Sequence, residues 1–247
     1  MIMKKISIIL SAFAVVFGMA SCNDQLELRN PNNQTTYDFG DSETELQEAV
    51  ISCYNRIRLE GTFARVGYTM DAVRGDEIWN ASQIWYLPYD NLNISAGGDD
   101  IGTQWIWRDC YHVVNRCNFV LQKVELVDLS EAAYNEIKGQ ALFLRGYTYF
   151  HLLRLFGGVP LPTTYTNGLA GLNIPRATVD ETYERVIKDL EDAAGMLPPR
   201  GTAGYDVWRV SSGAAYAALG EVYLYRASMN DNNRDYLTKA RDYSYKV

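Results

Sequence analysis

Apolar positions recur at helical spacing along most of this chain, and the first such run begins near residue 42. Leu46, Val50, Cys53, Tyr54 and Ile57 fall on one face of a 3.6-residue period, and Ser42 with Glu45 three residues later forms a capping box at its start. A second helix is predicted from about Thr103 to Val124, and a third from Ser130 to about Phe156. Gly157-Gly158-Val159-Pro160 ends the third, because glycine accepts a left-handed cap and proline blocks continuation. Thr178 and Glu181 form another capping box, opening a helix through Met196 that Pro198-Pro199 closes. Ser211 or Ser212 caps a fifth helix reaching Ser228, and Asn233 begins a sixth. No convincing run of strands appears. Positions 61–103 break the periodicity with glycines, asparagines and a proline among Trp79, Trp85, Tyr86 and Tyr89, which predicts a long structured loop.

The helices repeat. Gly139, Ala141, Gly146 and Tyr149 align with Gly213, Ala215, Gly220 and Tyr223 at a constant offset of 74 residues. Tyr216-x-x-Leu219-Gly220-x-x-Tyr223 resembles the first helix of a tetratricopeptide repeat, with Tyr in place of Trp, and Ala193-x-x-x-Leu197-Pro198 resembles the end of its second. Two stacked pairs follow: 130–156 with 178–197, then 211–228 with 233–247. Small residues admit the partner helix closely while large ones fill the adjoining groove. The last residues, Tyr245-Lys246-Val247, lie inside a periodic segment with no cap. The expectation is an all-α fold of tetratricopeptide-like pairs with long structured loops, truncated at the C-terminus.

The N-terminus has a different pattern. Lys4 and Lys5 precede an apolar run from Ile6 to Phe17, shorter than the roughly 20 residues a membrane span needs. Met19-Ala20-Ser21-Cys22 then resembles a bacterial lipobox, in which Cys22 is lipidated and becomes the first mature residue. An ordinary signal peptide with a chance cysteine is the competing reading. Residues 1–21 are therefore expected to be a lipoprotein signal peptide, 22–41 a flexible polar tether, and 42–247 the helical domain.

Charge narrows the partners. Removing Lys4 and Lys5 with the signal leaves 21 Lys+Arg of the original 23 against 30 Asp+Glu, a net charge of about −9. An acidic surface disfavours nucleic acid and anionic lipid, so a covalent anchor is the expected membrane attachment. Cys53, Cys110 and Cys117 lack metal-type spacing and make an odd set, so packing rather than a disulfide framework or zinc site is expected.

Catalytic patterns are missing from the sequence. No Gly-x-Ser-x-Gly elbow, phosphate-binding glycine loop or His-Glu-x-x-His occurs. His112 and His151 each adjoin an aromatic and read as half-buried core histidines. Asp99-Asp100 reads as a solvated turn, and Asp76-Glu77 as a turn or helix-cap feature. No enzyme, metal or cofactor is expected.

Trp85, Tyr86, Tyr89, Asn91 and Asn93 are the candidate ligand residues. Sugars offer flat C–H faces to aromatic rings and hydroxyls to amides, and this segment interleaves the two. The alternative is that Trp79 and one or two of these aromatics pin the loop to the helices. Trp105 and Trp107 open the next helix, and Trp105 reads as core.

Three segments together carry a resemblance: Trp107-x3-Tyr111-x3-Asn115-x2-Asn118; Glu136 through Arg145 and Arg154 to Pro160-Leu161; and Pro175-Arg176-Ala177-Thr178 to Tyr183. They resemble the SusD/RagB family, as does the lipoprotein signal. The resemblance implies a surface-exposed outer-membrane lipoprotein of Bacteroidota that binds oligosaccharides, or in some members peptides. It implies delivery to a partner TonB-dependent transporter of the SusC-like kind. Family members are about twice this length, so the implied site is expected to be partly present. A structural lipoprotein making only protein contacts is the reading from another class.

Overall fold

The computed structural model describes residues 39–76, 78, 79, 86–93, 100–168 and 173–247. Cys22, the predicted signal and most of the tether lie outside the described residues, as do Glu77, Trp85 and Asp99. The described residues contain helices and no strand. These are α1 (Glu43–Ile57), α2 (Arg65–Ala72), α3 (Leu87–Asp90), α4 (Ile101–Lys123), α5 (Glu131–Phe156), α6 (Val179–Met196), α7 (Ser212–Ser228) and α8 (Arg234–Ser244). None is long and apolar enough to cross a membrane.

Capping side chains set most of the starts. Thr178 and Glu181 close a reciprocal box: the Glu181 N–H donates to Thr178 Oγ1 at 3.2 Å, and the Thr178 N–H donates to Glu181 Oε2 at 2.7 Å. At α1 only half of the expected box forms. The Glu45 N–H donates to Ser42 Oγ at 3.3 Å, but the Glu45 carboxylate reaches past Ser42 to the N–H groups of Gly40 and Asp41. Ser130, Ser211 and Asn233 cap α5, α7 and α8.

Two expectations need correction. The long loop at 61–103 contains an eight-residue helix, α2, which packs on α4. Its start is set by tertiary contact rather than a side-chain cap: a Cβ on Gly61 would lie 2.1 Å from the Trp105 carbonyl oxygen, and one on Gly67 would overlap the Thr62 carbonyl. Asp100 is not in a solvated turn. It is 8% exposed and caps α4, accepting from the Thr103 N–H at 2.8 Å.

Helix α5 is the hub. It packs against α1, α4, α6 and α7, and from Gly139 to Leu153 nearly every side chain is buried. A helix apolar all round belongs inside a fold. Its partner α6 is amphipathic, with Tyr183, Val186, Leu190 and Ala193 buried along one stripe. The α5/α6 and α7/α8 pairs are the two expected repeats, in the expected register. A Cβ on Gly146 would lie 3.0 Å from Asp189 Cβ across the α5/α6 crossing, and one on Gly220 would lie 2.6 Å from Ser244 Oγ across α7/α8. Ala141, Ala215 and Tyr149 are fully buried, and Tyr223 nearly so. Cys53, Cys110 and Cys117 are buried and unbridged, as packing residues.

Candidate functional site

Four residues at helical spacing on α4, Trp107, Tyr111, Asn115 and Asn118, share one face and hold down the segment 160–166 that leaves α5. That segment carries Pro160 and Pro162, which have no N–H, so sheet pairing would be incomplete and its carbonyls need other donors. The helix supplies them. The Tyr111 hydroxyl donates to the Pro160 carbonyl at 2.7 Å, and the Asn118 amide donates to those of Pro162 at 2.9 Å and Thr164 at 3.3 Å. Asn115 binds Thr166 both ways, donating to its carbonyl and accepting from its N–H, each at 2.9 Å. From α5 the Tyr149 hydroxyl adds a bond to the Pro162 carbonyl at 2.9 Å.

The strap is locked at its origin as well. Gly157 takes a φ of 73°, and a Cβ on Gly158 would lie 2.1 Å from the Ala177 carbonyl oxygen. Arg176 donates to the carbonyls of Phe156 and Gly158, each at 2.6 Å, placing a cation on the C-terminus of α5. Three sequence segments that are distant along the chain therefore form one unit in space.

Between α4 and the strap lies a groove of about 450 Å³. Pro160, Pro162 and Ile174 make its apolar side, and Trp107, Arg108, Tyr111, His112 and Asn115 make the helix side. The Trp107 indole is 38% exposed yet braced: Phe156 meets it edge-on at 5.1 Å and Tyr111 tilts against it at 4.9 Å. Arg108 pairs with Asp109 Oδ1 at 2.7 Å, while Asp109 Oδ2 accepts from the Gly61 N–H at 2.9 Å. Partial desolvation in the groove, followed by the charge of Arg56, lowers the His112 pKa although the ring is exposed, so at neutral pH its imidazole is uncharged. Burial also pushes the Tyr111 phenol up, which keeps it a neutral donor. A rigid indole over an apolar wall, with a guanidinium and a neutral imidazole at the rim, is able to stack a flat C–H face and bond its hydroxyls.

The predicted ligand segment is placed differently. Tyr89 is fully buried; its hydroxyl bonds Asp100 Oδ2 and Thr103 Oγ1, and it packs against Gly102. Tyr86 is 5% exposed. Asn91 and Asn93 are exposed, and Trp85 lies outside the described residues. Tyr89 thus ties the segment to the start of α4, as the alternative reading had one of these aromatics do, whereas Trp79, which that reading also named, is 79% exposed. Among the described residues no cluster of three or more His, Cys, Asp or Glu could hold a metal ion.

His112 corrects a further expectation. It is exposed at the groove, whereas His151 is the buried one. Sequence reasoning also passed over Trp107 and Arg108 as ligand candidates. The signal available was the four-residue step from Trp107 to Tyr111, which puts both rings on one face.

A family model described as "Starch-binding associating with outer membrane" matches residues 24–224. The chain belongs to the SusD-like family. A SusD-like protein of Formosa agariphila is 27% identical over 226 residues, covering 91% of this chain and 44% of its own. One of Bacteroides ovatus is 27% identical over 255 residues, covering 99% and 44%. The SusD-like chain thus spans less than half the length of these curated relatives. A SusD superfamily structure from Parabacteroides distasonis superposes with a TM-score of 0.71 at 26% identity, over 87% of this chain and 45% of that one. A laminarin-binding SusD-like protein gives a TM-score of 0.63 at 25% identity, over 78% and 42%.

Proposed function

We propose that this SusD-like chain is a surface-exposed outer-membrane lipoprotein, anchored through Cys22, that binds oligosaccharides. It hands them to a partner TonB-dependent transporter and does no chemistry on them. The braced, partly exposed Trp107 over the proline-walled groove is the observation that carries the binding role. The family description, the laminarin-binding neighbour and relatives in Formosa and Bacteroides support the reading. Trp85, Asn91 and Asn93 are proposed as further contacts, and Tyr89 ties the turn that carries Asn91 and Asn93 to the start of α4.

Calorimetry of the full chain against starch and laminarin oligosaccharides tests the proposal. Trp107→Ala is expected to weaken binding about ten-fold, a loss of about 1.4 kcal/mol. Unchanged affinity in Trp107→Ala overturns the groove. Binding of peptides with no glycan bound overturns the ligand class, and oligosaccharide shortened on incubation overturns the non-catalytic role.

A further inference from the structure

A second recess lies between α2 and α5 and shares no lining residue with the groove over α4. Its volume is about 500 Å³, and Phe63, Tyr68, Asp71, Tyr147, His151 and Arg154 line it. His151 is only 3% exposed, yet neither of its ring nitrogens has a hydrogen-bond partner among the described residues. Buried polar groups in folded proteins are ordinarily satisfied, so an orphan of this kind calls for an explanation.

Aromatic packing, not hydrogen bonding, holds the imidazole. Phe63 tilts against it at 4.9 Å and stacks on Tyr147 at 5.4 Å. Burial drives the His151 pKa down to about 4, so near neutral pH the ring is uncharged and offers one donor and one acceptor. Asp71 supplies a carboxylate acceptor at the same recess and Arg154 a guanidinium donor, which also pairs with Glu221 at 3.3 Å. Tyr68 stands at the rim, 71% exposed.

This mixture favours a neutral, hydroxylated ligand. Asp71 repels an anion and Arg154 repels a cation, while an apolar ligand leaves the buried His151 nitrogens unpartnered, at a desolvation cost. A neutral polyhydroxylated ring satisfies all three, because each hydroxyl both donates and accepts, and its C–H faces pack on Tyr68 and Phe63. We propose that the recess between α2 and α5 is a second carbohydrate-binding site, with His151 as its buried polar anchor and Tyr68 as its stacking face. The assignment rests on the chemistry of the recess and does not depend on the Trp107 groove.

The chain has two histidines, so imidazole nitrogen resonances report the site directly. His112→Gln identifies the His151 signals. The full chain carrying Trp107→Ala is titrated with glucose, maltohexaose and laminarihexaose. The His151 nitrogen signals are expected to move saturably with at least one of these sugars. Adding Tyr68→Ala is expected to weaken that binding at least ten-fold without lowering the melting temperature, since the ring is mostly in solvent. His151→Phe, which has no protein hydrogen bond to lose, is expected to abolish binding while the protein stays folded. His151 signals that stay fixed at saturating sugar overturn the proposal, as does binding unaffected by Tyr68→Ala. Glycan binding that requires Trp107 and leaves His151 unmoved overturns this site alone and leaves the groove standing. Signals moved by a peptide and not by any sugar overturn the carbohydrate assignment.

Discussion

Arg145 of α5 grips Asp189 of α6 with two parallel bonds, Nε to Oδ2 at 2.7 Å and Nη2 to Oδ1 at 2.8 Å. Both side chains are buried, Asp189 completely. The remaining guanidinium nitrogen donates to Asn118 Oδ1 at 2.8 Å, and Asn118 in turn holds the strap carbonyls of Pro162 and Thr164. The ion pair thereby links the first helix pair to the wall of the groove.

Removing Arg145 leaves the buried Asp189 with only the longer Arg185 contact at 3.2 Å, and removing Asp189 strands the buried Arg145, so Arg145→Met or Asp189→Leu alone is expected to destabilise by about 3–5 kcal/mol. The double variant is expected to recover much of that loss, because the one cation it leaves without Asp189, Arg185, is partly exposed. Denaturant unfolding of the two single variants and the double variant measures the coupling. Additive losses would show that the pair does not act as a unit.

Close helix approach at Gly146 predicts a contrast with Gly195. Gly146→Ala puts a methyl against Asp189 Cβ, Leu190 Cγ and the Val186 carbonyl, and is expected to cost about 1–3 kcal/mol. Gly195 sits in α6 with nothing within 4 Å of a Cβ, so Gly195→Ala is expected to stabilise by about 0.5–1 kcal/mol. Thermal unfolding of the two variants should move in opposite directions.

His151 predicts a pH dependence. Its folded pKa of about 4 lies below the ordinary value of 6.5, with burial the largest cause, then Arg154, and Asp71 opposing. Above pH 6.5 the imidazole is neutral in both states and contributes nothing. Between 6.5 and 4 the unfolded chain takes up a proton that the folded chain refuses, so stability falls as pH falls, by at most about 3 kcal/mol. Below 4 both states are protonated and the loss stops growing. Unfolding free energies of wild type minus His151→Phe across pH 4–7 isolate this contribution. A flat difference would contradict the buried neutral imidazole.

Tyr89→Phe removes the hydroxyl that bonds Asp100 and Thr103 and is expected to cost about 1–2 kcal/mol. Because the ring is fully buried, oligosaccharide affinity is expected to stay unchanged once the protein is folded. A variant with normal stability and weakened binding would instead make Tyr89 a direct ligand contact.

The anchor is tested by labelling. A labelled fatty acid is expected to enter the wild type and not Cys22→Ala. Label retained in the variant would count against lipidation at Cys22.

Much of the fold was legible in the sequence because helix boundaries are local. Ser130, Thr178, Ser211 and Asn233 cap at the expected places, since a capping bond spans only two or three residues. The 74-residue offset was equally legible: Gly146 and Gly220 each need a partner helix close by, and only small residues permit it. Helix α2 was not legible, because contacts from Thr62 and Trp105, not a cap, define its surroundings.

The candidate site depended on tertiary structure, and the two histidines show why. Each adjoins an aromatic, and their local sequences gave no reason to treat them differently. Helix α4 keeps one face free, where His112 meets the groove, whereas on α5 Phe63, ahead of α2, packs on His151, which is only 3% exposed. Tyr89 follows the same rule: its sequence neighbourhood is polar, yet it is buried with its hydroxyl donating to Asp100 and bonded to the Thr103 hydroxyl. Helix periods and caps follow from residues a few positions apart, so the sequence alone determined the capped helices and the pairing of the two repeats. Exposure follows from which faces the assembled helices leave uncovered, and packing alone decided which rings meet solvent and which lie in the core.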